Sequence, residues 1–291
     1  MACADHVSSS RKIAKRLTLG HSPDPDDAFM FYALAENKID AGGWVFEHVL
    51  QDIQTLNDRA LRGELDVTAI SIHAYPFVAD KYVLTSCGCS MGDGYGPMVV
   101  AREVMTVADL RGRLIAVPGE RTTAFLVLNL LLGRGNFRHR VIMFDQILDA
   151  VARGDVDAGL VIHEGQLTYA NHRLHLAVEL GRWWKQTTGL PLPLGGNCIR
   201  RDWDLDTAER VTSVLRRSIE YSLAHRREAV EHAMRYARDL TPELADRFIG
   251  LYVNQWTLDY RETGREAVAE LLRRGHQIGL VPALFKVDFI G

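Results

Sequence analysis

Four short segments of this sequence carry side chains that could hold or transform a small molecule: Ser22 to Asp27, Ser71 to His73, Pro118 to Ala124, and His163-Glu164. In the first, Asp26 and Asp27 are adjacent carboxyls able to accept from ligand hydroxyls. In the third, Thr122, Thr123 and Ala124 bring hydroxyls and backbone N–H groups to a helix start, which suits a carboxylate or other anion. The plain alternative there is an N-cap threonine with no ligand. A ligand touching both segments would turn its acidic end to the threonines and its hydroxyls to the aspartates. His163 is the candidate base, because an imidazole with an ordinary pKa near ~6.5 accepts and returns a proton at neutral pH. A lone histidine after a strand is more often a hydrogen-bonded structural residue, and His73 has a similar claim on position alone.

Other chemistries find less support. His163-Glu-Gly-Gln-Leu167 lacks the second histidine of a zinc-protease helix. His172 and His175 have metal-like spacing but lie in a polar loop that leads into a strand. Gly92-Asp-Gly-Tyr-Gly96 fits neither the dinucleotide nor the P-loop pattern, and no G-x-S-x-G marks a serine hydrolase. Cys3, Cys87, Cys89 and Cys198 form neither a zinc knuckle nor a C-x-x-C, and read as buried thiols in a reducing cytoplasm. Trp183-Trp184 could line an aromatic pocket or pack in the core. These residues give no case for a metal site.

The elements that must position these residues alternate between strand and helix. Arg16 to Gly20 reads as a strand, Asp26 to Leu34 as a helix, Val45 to Val49 as a strand, Ile53 to Leu61 as a helix and Val67 to Ile72 as a buried strand. The plan then recurs. Arg62-Gly-Glu-Leu-Asp-Val67 returns as Arg153-Gly-Asp-Val-Asp-Ala158, and Asp26-Asp-Ala-Phe29 as Thr122-Thr-Ala-Phe125, in the same order and at nearly the same offset. Two α/β lobes follow: residues 16–101, with 197–291 returning as a strand and C-terminal helices, and residues 102–196. Gly94 to Ala101 and Gly189 to Asn197 have the punctuation of two crossings between them. Helical spacing covers residues 207–224, 227–237, 242–253 and 265–274. A cleft between such lobes, facing the strand ends, is a favoured ligand site.

Composition fits this layout. The chain has 291 residues, 47% hydrophobic and 24% charged, which excludes disorder, collagen and coiled coil as whole-chain readings. A net charge of −3, from 34 basic and 37 acidic residues, gives no electrostatic case for nucleic acid or an anionic membrane. No apolar run approaches the ~20 residues of a membrane span, and residues 1–15 lack the apolar core of a secretory signal. The expectation is a soluble cytoplasmic protein with a small-molecule carboxylate as partner; the pattern assigns no oligomeric state.

Six motifs occur in one order: Ser22-Pro-Asp-Pro-Asp-Asp-Ala-Phe29, Asp52-Ile-Gln-Thr-Leu-Asn57, Leu65-Asp-Val-Thr-Ala-Ile-Ser71, Gly94-Tyr-Gly-Pro97, Thr122-Thr-Ala124 and Ile162-His-Glu164. Gly189-Leu-Pro-Leu-Pro-Leu194 and Tyr252-Val-Asn254 follow. Across residues 16–275 this combination resembles the 1,4-dihydroxy-6-naphthoate synthase family of the futalosine route to menaquinone. The resemblance implies an α/β, two-lobed fold of the type II periplasmic-binding-protein kind, with mainly parallel sheets flanked by helices around a central cleft. It implies a lyase that splits cyclic dehypoxanthinylated futalosine into the dihydroxynaphthoate and a small sugar-derived fragment, without metal or organic cofactor. It makes His163 the proton acceptor, and assigns substrate contacts to Ala69, Ile70 and Ser71 and to Thr122, Thr123 and Ala124. Ser22, Asp26 and Asp27 join them by their position at the cleft. The chain departs from the family at Asp24 and Asp26, where cysteine and asparagine are common, and at Ala69, where lysine is common. Two alternatives use the same fold: a solute-binding protein for a small carboxylate without catalysis, and a chorismate dehydratase-like enzyme.

Overall fold

The computed structural model describes residues 15–237, 240–283 and 286–291; Cys3 and the N-terminal segment read above for a leader lie outside the described residues, apart from Lys15. The chain opens with β1 (Lys15–His21), α1 (Pro25–Met30), α2 (Tyr32–Ala35), β2 (Trp44–Leu50), α3 (Ile53–Leu61) and β3 (Val67–Ser71). β1 lies between β2 and β3, parallel to both. After β4 (Tyr82–Thr85), β5 (Ser90–Gly92) and β6 (Met98–Ala101), the same sequence of elements returns. It comprises β7 (Leu114–Val117), α4 (Thr123–Leu132), β8 (Arg138–Val141), α5 (Ile147–Arg153) and β9 (Ala158–Val161), with β7 parallel between β8 and β9.

The repeated hexapeptide performs one local task twice. Gly63 and Gly154 end their helices with φ of 68° and 84°, a conformation that a side chain disfavours. Three residues later, the Asp66 carboxylate takes the Thr18 N–H of β1 at 2.8 Å, and the Asp157 carboxylate takes the Leu114 N–H of β7 at 2.8 Å. Each aspartate thus ties a central strand to the chain entering its parallel neighbour.

The sheets are mixed because the crossing segments join them antiparallel. β6 pairs antiparallel with β9, and β11 (Leu192–Arg200) pairs antiparallel with β3. β10 (His175–Glu179) completes the second sheet, ordered β10-β6-β9-β7-β8. The first runs β12-β4-β11-β3-β1-β2, with β5 on β11 and β12 at Phe289–Ile290. These pairings move the boundaries read from the sequence. Met98–Ala101 belongs to the second sheet, not to the first lobe, and the strand from Leu192 already belongs to the first. Where the chain passes between the sheets, Gly92, Gly96 and Gly181 let the backbone around Tyr95 pack closely; a Cβ on Gly181 would lie 1.9 Å from the Tyr95 carbonyl oxygen.

α6 (Gly165–Thr168) and α7 (Leu180–Thr188) complete the second unit. The C-terminal helices are α8 (Leu205–Ala224), α9 (Arg226–Ala233), α10 (Pro242–Tyr252), α11 (Gln255–Leu258) and α12 (Arg261–Gln277). One apolar cluster joins Ile70 and Leu84 of the first sheet to Val99, Val117 and Leu160 of the second through Leu126 and Leu128 of α4. A second cluster packs α1 and α8 on β1 through Phe29, Leu17, Val214 and Ile219. No helix among the described residues is long and apolar enough to cross a membrane.

Asp66 accepts from both the N–H and the hydroxyl of Thr18, at 2.8 and 2.9 Å. Asp66→Ala is expected to lower unfolding free energy by about 1–3 kcal/mol, because it strips a part-buried backbone donor. Urea unfolding checks this, and an unchanged midpoint and slope would remove the motif's structural role.

Candidate active site

The C-terminal ends of β1, β3, β7 and β9 face one cleft, which encloses about 760 Å³ including its open mouth. From the first unit, Ser22, Asp24, Asp26 and Asp27 line it at the β1–α1 turn, and Ala69, Ile70 and Ser71 at β3. From the second unit come Thr122, Thr123 and Ala124 at the start of α4, and Ile162 beyond β9. Every residue anticipated as a substrate contact therefore borders a single cavity. His163 does not: it is buried one residue beyond Ile162, its ring edge-on to Phe144 with centroids 5.3 Å apart. A Cβ on Gly165 would lie 3.0 Å from its Nε2, so that position leaves room for the imidazole.

The carboxyl side is held by its own turn. Ser22 N–H donates to Asp27 Oδ2 at 2.7 Å, and Asp24 N–H donates to Ser22 Oγ at 3.1 Å. Behind it, His21 Nδ1 donates to the Ser22 carbonyl at 3.0 Å, which leaves its Nε2 to accept from His48 Nδ1 at 2.9 Å. Burial holds both imidazoles neutral, each pushed down to about 4. Burial also raises Asp27 to about 6 against the pull of the Ser22 N–H. Asp26 stands well above the usual carboxylate range, first by burial and then by the charges of Asp27 and Asp24.

The helix-start side is not the hydroxyl cradle that the sequence suggested. Thr122 caps α4, its hydroxyl accepting from Phe125 N–H at 3.2 Å and donating to the Gly119 carbonyl at 2.8 Å. Thr123 donates to the Leu194 carbonyl at 2.6 Å and accepts from His73 N–H at 3.1 Å. Both hydroxyls are engaged within the protein, because short side chains at a helix start turn back on nearby backbone. The N–H groups of Thr123 and Ala124, which the helix itself leaves without acceptors, remain for an anion. His73 is a tie of the same kind, with Nδ1 3.2 Å from the Thr122 carbonyl and Nε2 3.3 Å from that of Leu280; burial lowers its pKa.

The floor is set by α3. Asn57 donates to Ser71 Oγ at 3.0 Å and accepts the Ser71 N–H at 2.9 Å. Gln54 accepts the Arg121 N–H at 3.1 Å, reaching the β7–α4 loop over Gly119, where a Cβ would lie 2.0 Å from its Oε1. Several further lining residues were not assigned to the site from the sequence, among them Asn197, Phe248 and Tyr252. Asn197 sits opposite Ala69 in the β11–β3 register, and Phe248 and Tyr252 reach the cavity from α10. Tyr252 also donates to Gln166 of α6 at 2.8 Å. Trp184, by contrast, lies wholly in the core, its Nε1 donating to the Pro191 carbonyl at 3.0 Å. His172 faces Asp149 at 3.3 Å.

A family model described as menaquinone biosynthesis matches residues 17–277. The chain belongs to that family. An enzyme of Thermus thermophilus named 1,4-dihydroxy-6-naphthoate synthase is 41% identical over 264 residues, 91% of this chain and 95% of the relative. A crystal structure of an Archaeoglobus fulgidus protein, 44% identical, superposes with a TM-score of 0.87 over 91% of this chain and 98% of its own. The fold is that of periplasmic binding proteins. An alkanesulfonate-binding protein of Xanthomonas axonopodis shares it at 16% identity, with a TM-score of 0.71 over 94% of this chain and 96% of its own. The matched region of this menaquinone-biosynthesis family member spans both units and so contains the whole cavity.

The buried imidazoles and carboxyls act on stability with opposite sign. A histidine held near 4 in the fold and near ~6.5 when unfolded stabilises fully above ~6.5 and loses that contribution as pH falls toward 4. Asp27, raised to about 6, destabilises above that pH and is relieved below it. The difference in stability between His48→Gln and wild type is therefore expected to shift in the variant's favour by on the order of 1–2 kcal/mol between pH 7 and pH 5. Urea unfolding at both pH values measures it; a difference independent of pH would contradict neutral burial of the pair.

Proposed function

We propose that this protein is a carbon–carbon lyase that cleaves cyclic dehypoxanthinylated futalosine to 1,4-dihydroxy-6-naphthoate and a small sugar-derived fragment, with His163 as general base. The observation that carries the reading is the convergence of two repeated βα starts on one cavity, with unlike chemistry on its two sides. The substrate's carboxylate would take the N–H groups of Thr123 and Ala124. Its hydroxyl-bearing part would lie toward Ser22, Asp26 and Asp27. The name of the Thermus thermophilus relative fits such a ligand, and the free, buried thiols Cys87, Cys89 and Cys198 suit a reducing cytoplasm.

His163 would remove a substrate hydroxyl proton. The O–H electron pair then becomes the carbonyl of the departing fragment as the adjacent carbon–carbon bond breaks. The electrons of that bond pass into the ring system, which becomes aromatic, and the imidazolium returns its proton. This requires the substrate to reach past Ile162 to the ring, a contact that can tighten once substrate is bound. Contacts across the cleft, such as Gln54 to Arg121 and Tyr252 to Gln166, would exclude water and hold the geometry.

A positioned base contributes about 10²–10⁴ in rate. His163→Ala should therefore fold, bind the cyclic futalosine and lose kcat by about that factor, read by mass spectrometry of the products. Unchanged kcat would take His163 out of the chemistry. Tight binding by wild type with no product would favour a solute-binding role.

A further inference from the structure

We propose that Asp26 acts as a neutral carboxylic acid that donates a hydrogen bond to an oxygen of the bound substrate, making it a substrate-orienting donor. The inference deepens the functional reading above and rests on the cavity being the substrate site.

The argument begins with what surrounds the three carboxyls. Asp24, Asp26 and Asp27 all line the cavity, and none of the described residues lining it is lysine, arginine or histidine. Apolar Ile53, Ile70 and Phe248 line the same cavity. Neighbouring carboxyls in such a place do not all ionise, and the proton stays on the one with the weakest donors around it. Asp27 accepts the Ser22 N–H at 2.7 Å and is the member whose charge is supported. Asp26 makes no hydrogen bond to another side chain and no ion pair among the described residues; the backbone N–H groups of Asp26 and Asp27 meet its carboxyl, beside the charges of Asp27 and Asp24.

Among the described residues, no ion pair joins Asp26 to α8, α9 or α10, the helices packed against α1. Arg226 of α9 lies over the Phe29 ring at 5.5 Å but pairs with Asp246 at 2.8 Å. Glu228 of α9 accepts from Tyr32 at 2.8 Å. From α10, Tyr252 is a neutral phenol, its ionisation opposed by burial. His21 and His48 behind the turn are neutral, and His163 and Glu164 follow β9 in the second unit, outside the residues that line the cavity. The direction of the Asp26 shift, upward through burial and then through Asp27 and Asp24, agrees with this geometry. A protonated Asp26 also removes one negative charge from the path of a substrate that carries a carboxylate of its own.

Two measurements test the proposal. Titration of aspartate carboxyl ¹³C signals, assigned to Asp26 by comparison with Asp26→Asn, is expected to find the group still protonated at pH 7. In kinetics on the cyclic futalosine, wild-type KM is expected to rise about tenfold per pH unit beyond that titration. The rise should be absent in Asp26→Asn, whose amide donates without ionising, while Asp26→Ala raises KM about tenfold at pH 7. An Asp26 signal ionised at pH 7, or an alkaline rise in KM that persists in Asp26→Asn, overturns the proposal. If wild type gives no product, the lyase reading fails by itself. The carboxyl titration still decides the protonation state, and the pH dependence of dihydroxynaphthoate Kd in the same variants still decides the donor role.

Discussion

The Thr123 hydroxyl is the point at which three distant parts of the chain meet. It donates to the Leu194 carbonyl of β11 and accepts the His73 N–H that follows β3, while its own backbone opens α4. The Thr122 carbonyl beside it faces His73 Nδ1. These contacts lock the start of the second unit's first helix against the end of the first unit's third strand. The cavity exists because that join brings the strand ends of two sheets to one place. The apolar cluster around Leu126 and Leu128 of α4 packs behind it against both sheets.

The repeated plan then yields a site with two chemical poles. The α1 start carries carboxyls, while the α4 start carries threonines whose hydroxyls cap and tie, leaving backbone donors open. The proposed substrate orientation rests on this contrast between carboxyls at one helix start and backbone N–H groups at the other. Between the poles lie Ile70 and Ala69 of β3, with Tyr252 and Phe248 of α10. An elongated ligand, apolar in its middle and acidic at one end, matches that order in only one direction.

Much of this was legible because it is local. The Arg-Gly-acid-x-Asp repeat encodes a left-handed glycine and a strand-pinning aspartate, both short-range devices, so the second copy could be recognised from the first. The β1–α1 turn and the α4 start were equally local. Sheet membership of Met98–Ala101 and Leu192–Arg200 was not, because an antiparallel crossing strand is placed by partners far away in sequence. The same reason hid Asn197, which reaches the cavity through its register with Ala69, and Tyr252, which arrives on α10. The threonine hydroxyls were misread because their acceptors, Gly119 and Leu194, depend on the closed loop and the crossing strand. His163 was placed at the cavity by strand position alone, and successive side chains at a strand end diverge, so Ile162 takes the wall and the imidazole the space behind it.

The polarity of the cavity is best tested by a crystal structure with 1,4-dihydroxy-6-naphthoate bound. The carboxylate is expected on the N–H groups of Thr123 and Ala124, with the ring system between β3 and α10 and the hydroxyls toward Ser22 and Asp26. A product molecule outside this cavity, or one reversed so that its carboxylate meets the aspartates, would contradict the account.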